Sequence, residues 1–134
     1  MHYIIARGFG LITYIVGFHE LTYIQILVFG VMAIVWGASL IVQKSSFTDG
    51  FRSILYATAW SGVLQAFWGI ILYVFFGLRP NDMLHLVYGL IVVVAIPVAF
   101  TYTSEKLNRR DTLIITFAAF VIVAAAIRGF FTGK

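Results

Sequence analysis

Cysteine is absent from this chain of 134 residues. Its absence excludes disulfide bonds, thiolate metal sites, thiol nucleophiles and covalent attachment of a c-type haem. Charge is almost as scarce, because charged residues make up 10% of the chain, against about 25% in soluble domains. The hydrophobic fraction is 62% and the mean hydropathy is +1.01. A soluble domain of this length could not bury so much apolar surface, so the composition predicts a membrane protein.

Four segments without charge predict the topology. They separate Glu20 from Lys44, Arg52 from Arg79, Asp82 from Glu105, and Asp111 from Arg128, and they contain 23, 26, 22 and 16 residues. A helix needs about 20 apolar residues to cross the hydrocarbon core, and the shortest segment reaches that length if Arg128 extends toward the interface. We therefore expect an all-α bundle that forms a single integral membrane domain over 1–134. Its four spans are predicted at about 21–43, 51–78, 83–104 and 111–131.

The first 18 residues have a different character. Arg7 and three glycines, Gly8, Gly10 and Gly17, interrupt an apolar stretch that is short for a span. This pattern predicts a separate interfacial helix lying on the membrane surface before the first span. A short fifth span is the alternative.

Basic residues in the loops predict the orientation. The loops at 44–52 and 104–111 carry Lys44, Arg52, Lys106, Arg109 and Arg110, and the opposite face carries Arg7, Arg79, Arg128 and Lys134. The positive-inside rule then places the Lys44 loop and the Arg109/Arg110 loop in the cytoplasm and both termini outside. We expect a multi-pass protein of the cell (plasma or inner) membrane. The net charge of +4 is attributed to these loops, so no nucleic-acid partner is expected.

Histidines are the candidate ligands. His19 opens the first span and His85 opens the third, so four spans put both at one membrane face. Together with Tyr88, Gly89 and Arg79, they could bind a b-type haem or the head group of a quinone. The alternative is a pair of ordinary interfacial histidines. Three histidines without cysteine do not predict a zinc site, so no metal ion is expected.

Uncharged polar residues within the spans are few. Gln65 lies near the middle of the second span with Ser61 one turn before it, and both are predicted to make hydrogen bonds between helices. Small residues at helical spacing, such as Gly30, Ala33 and Gly37, predict close helix packing.

The charge-free spans also limit the function. Every acidic residue falls at a predicted helix end or in a loop, so no acid–base pair faces another inside the membrane, and we expect no enzyme activity. The expected function is that of a non-catalytic subunit or assembly partner of a larger membrane complex, such as an energy-transducing one. Its partners would be the lipid bilayer and other membrane proteins or further copies of itself. One alternative is an electron-transfer protein that uses His19 and His85; another is a small oligomeric channel or carrier.

Overall fold

The computed structural model describes the backbone of residues 2–133 and the side chains of residues 10–133. Within that part of the chain there are four helices and no strand: α1 (His2–Val42), α2 (Asp49–Phe75), α3 (Leu84–Thr101) and α4 (Arg109–Gly133). Each helix is long and apolar enough to cross a membrane, α1 through its section Gly10–Val42. The predicted all-α, four-span membrane fold is confirmed.

The separate N-terminal interfacial helix is not confirmed, because α1 runs without a break through residues 18–21. Its 41 residues correspond to about 60 Å, roughly twice the thickness of the hydrocarbon core. Glycine lowers helix propensity but, unlike proline, does not remove a backbone hydrogen bond, so Gly17 does not end the helix. The side chains of His2 and Arg7, on which the interfacial interpretation partly rested, lie outside the described residues.

Local hydrogen bonds set the ends of α2 and the start of α3. The Thr48 hydroxyl accepts a hydrogen bond of 3.2 Å from the Phe51 N–H and caps α2. Gly77 is in the left-handed region with φ of 65°, and it turns the chain away from the axis of α2. The helix therefore ends at Phe75, shortly before the predicted end of the second span at 78. The Asp82 carboxylate accepts a 2.8 Å bond from the N–H of Leu84, the first residue of α3, while Met83 occupies the N-cap position.

A reciprocal capping box starts α4 two residues before the predicted position. The Asn108 side chain accepts a 3.1 Å bond from the Asp111 N–H, and the Asp111 carboxylate accepts a 3.0 Å bond from the Asn108 N–H. The same carboxylate oxygen accepts bonds from the backbone N–H and the hydroxyl of Ser104. Asp111 is buried, so this network joins the 104–108 loop to the end of the bundle.

The helices form a ring in chain order. α1 packs against α2 and α4, and α3 packs against α4 and α2, so α1 and α3 are diagonal. Glycines bring neighbours close, as the small-residue pattern predicts: a Cβ at Gly30 would lie 2.5 Å from Val123 Cγ2, and one at Gly62 would lie 2.9 Å from the Val92 carbonyl oxygen. The fully buried centre includes Ala33, Phe51, Leu55, Ile115, Ala119 and Ile122.

Large apolar side chains also cover the outside of the bundle. Phe75, Trp60 and Phe131 are among the exposed ones, at 76%, 66% and 67% of their full accessibility. Such a surface is suited to lipid, in which these side chains are not exposed to water.

Replacing Asn108 with alanine should remove one half of the capping box and destabilise the protein by about 1 kcal/mol. The measurement is thermal unfolding in mild detergent. Asn81→Ala is the matched control, since Asn81 is also an exposed loop asparagine. An equal loss of stability in both variants would show that the capping box has no special role.

The absence of cysteine makes the orientation testable by single-cysteine labelling. Ser46 and Asn81 lie in loops at opposite ends of the helices. If the positive-inside prediction is correct, Ser46→Cys should react with a membrane-impermeant maleimide only after the cells are opened. Asn81→Cys should react in intact cells, and the reverse pattern would contradict the predicted orientation.

Candidate functional site

One polar cluster joins all four helices near the end of the bundle that carries the 76–83 loop. It contains His19 of α1, Gln65 of α2, His85 of α3 and the Gly129 carbonyl of α4. The rings of His19 and His85 have centroids 6.3 Å apart and are tilted by 54°. The sequence predicts that the two histidines share a membrane face, and the structure brings their rings together across the diagonal of the bundle.

Backbone carbonyls define the protonation of both rings. His85 Nδ1 lies 2.8 Å from the Gly129 carbonyl oxygen, and His19 Nδ1 lies 3.2 Å from the Gln65 carbonyl oxygen. A carbonyl only accepts hydrogen bonds, so each Nδ1 carries the proton and donates it. In the neutral form of each ring, Nε2 is therefore unprotonated and carries a lone pair.

The Gln65 side chain completes a network between α1 and α2. With Nδ1 protonated, His19 Nε2 accepts a 3.1 Å bond from the Gln65 amide nitrogen. The amide oxygen of Gln65 is then left to accept a short bond from the Thr22 hydroxyl. Gln65 is thus an interhelical hydrogen-bonding residue in this structure, and its side chain satisfies both partners on α1.

Glycines surround the two imidazoles. A Cβ at Gly133 would lie 2.8 Å from both Cε1 and Nδ1 of His85, and one at Gly69 would lie 3.4 Å from His19 Cε1. Gly89 lies one turn after His85 on the same face of α3, and a Cβ there would meet nothing within 4 Å. The rings therefore pack closely against the backbone of α2 and α4, whereas a Cβ at Gly89 would enter open space.

Stacked aromatic pairs flank the cluster along α1. Phe18 stacks on Trp68 of α2 with ring centroids 5.2 Å apart, and Tyr23 stacks on Phe130 of α4 at 5.1 Å. These pairs lie on either side of His19 in the sequence of α1. They join α1 to its two neighbouring helices at the level of the site.

The other candidate residues lie in different surroundings. The Arg79 guanidinium lies over the Tyr73 ring at 6.0 Å, and its contact is thus with α2. Tyr88 is partly buried and packs against the core. The Ser61 hydroxyl donates a 2.8 Å bond to the Ala57 carbonyl of its own helix.

Several residues of the cluster were not predicted from the sequence. Thr22, Gly69, Gly129 and Gly133 contribute a hydroxyl, a carbonyl or room for a ring. Thr22 lies three residues after His19, on the same side of α1, which could have suggested a shared partner. The role of the glycines depends on contacts between helices, and the sequence of a single helix does not predict those contacts.

Comparison of the chain with protein-family models, with curated proteins and with solved structures gives no match. The geometry of the cluster is therefore the basis for the functional argument.

Replacing Gln65 with leucine should remove the link between α1 and α2 and destabilise the protein by about 0.6–1.7 kcal/mol, the range for hydrogen bonds between membrane helices. A double-mutant cycle with Thr22→Val in detergent unfolding should give a measurable coupling energy. Ser61→Ala is the matched control on the same helix, because its hydroxyl bonds only within α2. Coupling that is zero within error would contradict the assigned network.

Proposed function

We propose that the protein is a small membrane cytochrome in which His19 and His85 would hold a b-type haem. One observation carries the proposal: the two imidazoles meet across the bundle, each with Nδ1–H held by a backbone carbonyl, and among the described residues the Nε2 of His19 hydrogen-bonds only to the exchangeable amide of Gln65. Histidines that bind metals usually donate their other nitrogen to such a group, which orients the ring and raises its basicity.

The separation of the rings is that of two ligands to one group, although each ring must turn to bind it: the nitrogen edge of His19 faces Gln65 of α2, and Nδ1 of His85 faces Gly129 of α4. Two imidazoles bound to one metal from opposite sides have centroids about 6 Å apart, since each metal–nitrogen bond is about 2 Å and each ring adds about 1 Å. The observed separation is 6.3 Å. Iron binding would replace the Gln65 amide at His19 Nε2, and Gln65 would keep its bond with the Thr22 hydroxyl.

The donor set favours haem over a free metal ion. A macrocycle supplies four nitrogens and needs only two axial ligands from the protein. A free ion needs three or more protein ligands in most sites, and among the described side chains no group of three His, Cys, Asp or Glu could hold one. Two histidines are sufficient for haem and insufficient for zinc.

The tautomers favour haem over a quinone head group. Quinone carbonyl oxygens accept hydrogen bonds, so their site must provide donors. Here both Nδ1–H groups already donate to carbonyls, and the remaining Nε2 atoms are acceptors. Unprotonated nitrogens can bind an electrophilic metal, but they cannot donate a hydrogen bond to a quinone oxygen.

Glycines beside the rings bear on where a flat group could fit. Gly89 leaves open space one turn from His85, and Gly69 keeps α2 free of side-chain atoms beyond Cα next to His19. When bound, the haem would supply one-electron redox chemistry. The residues of this chain would hold the two rings, keep each Nδ1 protonated and surround the site with apolar groups.

Partners follow from the same proposal. An electron carrier needs a donor and an acceptor, and the loops between the helices are short: residues 43–48, 76–83 and 102–108. We therefore infer that the donor and acceptor are other membrane components, and that the protein acts as a non-enzymatic subunit beside them. The channel or carrier remains a prediction. The hydrogen bonds of Gln65 and Ser61 are made within the protein and do not favour it.

The test is the absorption spectrum of the protein purified in mild detergent from haem-replete cells, before and after reduction by dithionite. We expect one haem per chain with the Soret and reduced α-bands of a six-coordinate low-spin iron. His19→Ala and His85→Ala should each weaken haem binding at least about tenfold or convert the iron to high spin, since an axial ligand is lost. His2→Ala is the control, because His2 lies 17 positions before His19 in α1, about 25 Å along the helix axis.

Gly89→Leu tests the site without removing a ligand. The Cβ of a leucine at this position would lie more than 4 Å from the described atoms of the other helices, so the fold should tolerate the substitution. The leucine side chain would then occupy the space proposed for the haem. Gly10→Leu is the matched control, at another glycine with nothing within 4 Å. A wild-type protein without haem even after haemin addition, or full haem binding by His19→Ala and His85→Ala, would overturn the proposal.

A further inference from the structure

A groove runs along the outside of the bundle between α3 and α4. It has a volume of about 230 Å³ and is lined by Tyr88, Ile91, Phe120, Val121, Ala124, Ala125 and Arg128. All but one of these side chains lack charge, and the section of α4 from residue 120 to residue 128 is about 12 Å long. The groove is therefore long, narrow and apolar, with a cation at one end.

Arg128 is the cation, and it has no carboxylate partner among the described side chains. It is exposed, and the hydrogen bond assigned to it is accepted by its backbone carbonyl from the Thr132 hydroxyl. The nearby carboxylate of Asp82 is engaged with the Leu84 N–H. An arginine on the lipid-facing side of a span must extend to the interface or find an anion there.

We propose that this groove is a binding site for an anionic phospholipid, with the phosphate on Arg128 and one acyl chain along the groove toward Phe120. Arginine binds phosphate oxygens through paired N–H donors, which gives the cation the anionic partner that the described side chains do not provide. The apolar lining suits an acyl chain, and Ala124 and Ala125 leave room for it. The groove and Arg128 support this site without reliance on the proposed haem.

The position of Arg128 explains why the ligand is a lipid. Arg128 is five residues before the end of α4, and the Asp82 N–H donates a 3.2 Å bond to the Thr132 carbonyl, so the connecting loop lies just beyond it. The guanidinium can thus reach head-group level while the groove continues toward the membrane centre. A soluble phosphate would fill only the charged end and leave the groove empty.

The experiment is native mass spectrometry of the full chain released from mixed micelles containing phosphatidylglycerol and phosphatidylcholine. We expect wild-type protein to retain one phosphatidylglycerol in preference to phosphatidylcholine. Arg128→Gln should lower that preference about five-fold, the effect of one basic residue at an anionic surface. Ala124→Leu should displace the acyl chain and reduce the retained phosphatidylglycerol by a similar factor while the charge remains.

Arg79→Gln is the matched control. It removes the same charge at the same end of the bundle, but Arg79 lies over Tyr73 and away from the groove. Retained preference in Arg128→Gln, an equal loss in Arg79→Gln, or competition by inorganic phosphate alone would overturn the proposal. Circular dichroism of each variant in the same detergent checks that the helices are intact.

Discussion

The hydrocarbon core of a bilayer donates and accepts no hydrogen bonds, and this constraint accounts for most of the structure. Each polar group within the spans must find its partner inside the protein or within its own helix. The hydroxyls of Thr58 and Ser61 donate to carbonyls of α2 itself. His19, Gln65 and His85 have side chains that reach farther, and they find partners on other helices. The one polar cluster that joins all four helices arises in this way.

The same constraint connects the cluster to the proposed function. The Nδ1–H of each imidazole needs an acceptor inside the bundle, because the hydrocarbon core offers none. The carbonyls of Gln65 and Gly129 satisfy that N–H on the two rings. The second nitrogen, Nε2, remains at each ring, and at His19 it accepts a bond from the Gln65 amide. The haem proposal therefore depends on how the bundle satisfies its polar groups.

Much of the fold was predictable from the sequence, because crossing a bilayer requires long apolar segments that are visible without an alignment. The four spans were predicted, and the ends of α2, α3 and α4 differ from the prediction by a few residues. Those differences come from local bonds, such as the box between Asn108 and Asp111, whose geometry the residue types only suggest. The N-terminal break was wrongly expected because glycine and charge weaken a helix without ending it.

The site was only partly predictable. The sequence by itself determined that His19 and His85 lie at one end of the bundle and that Gln65 lies within the membrane, since helix count and residue spacing set those positions. Only the tertiary structure decided that α1 and α3 are diagonal, that the two rings meet, and that backbone carbonyls orient them. These facts depend on the rotation of each helix about its axis. That rotation follows from contacts such as Gly30 with Val123 and Gly62 with Val92, which lie far apart in the chain.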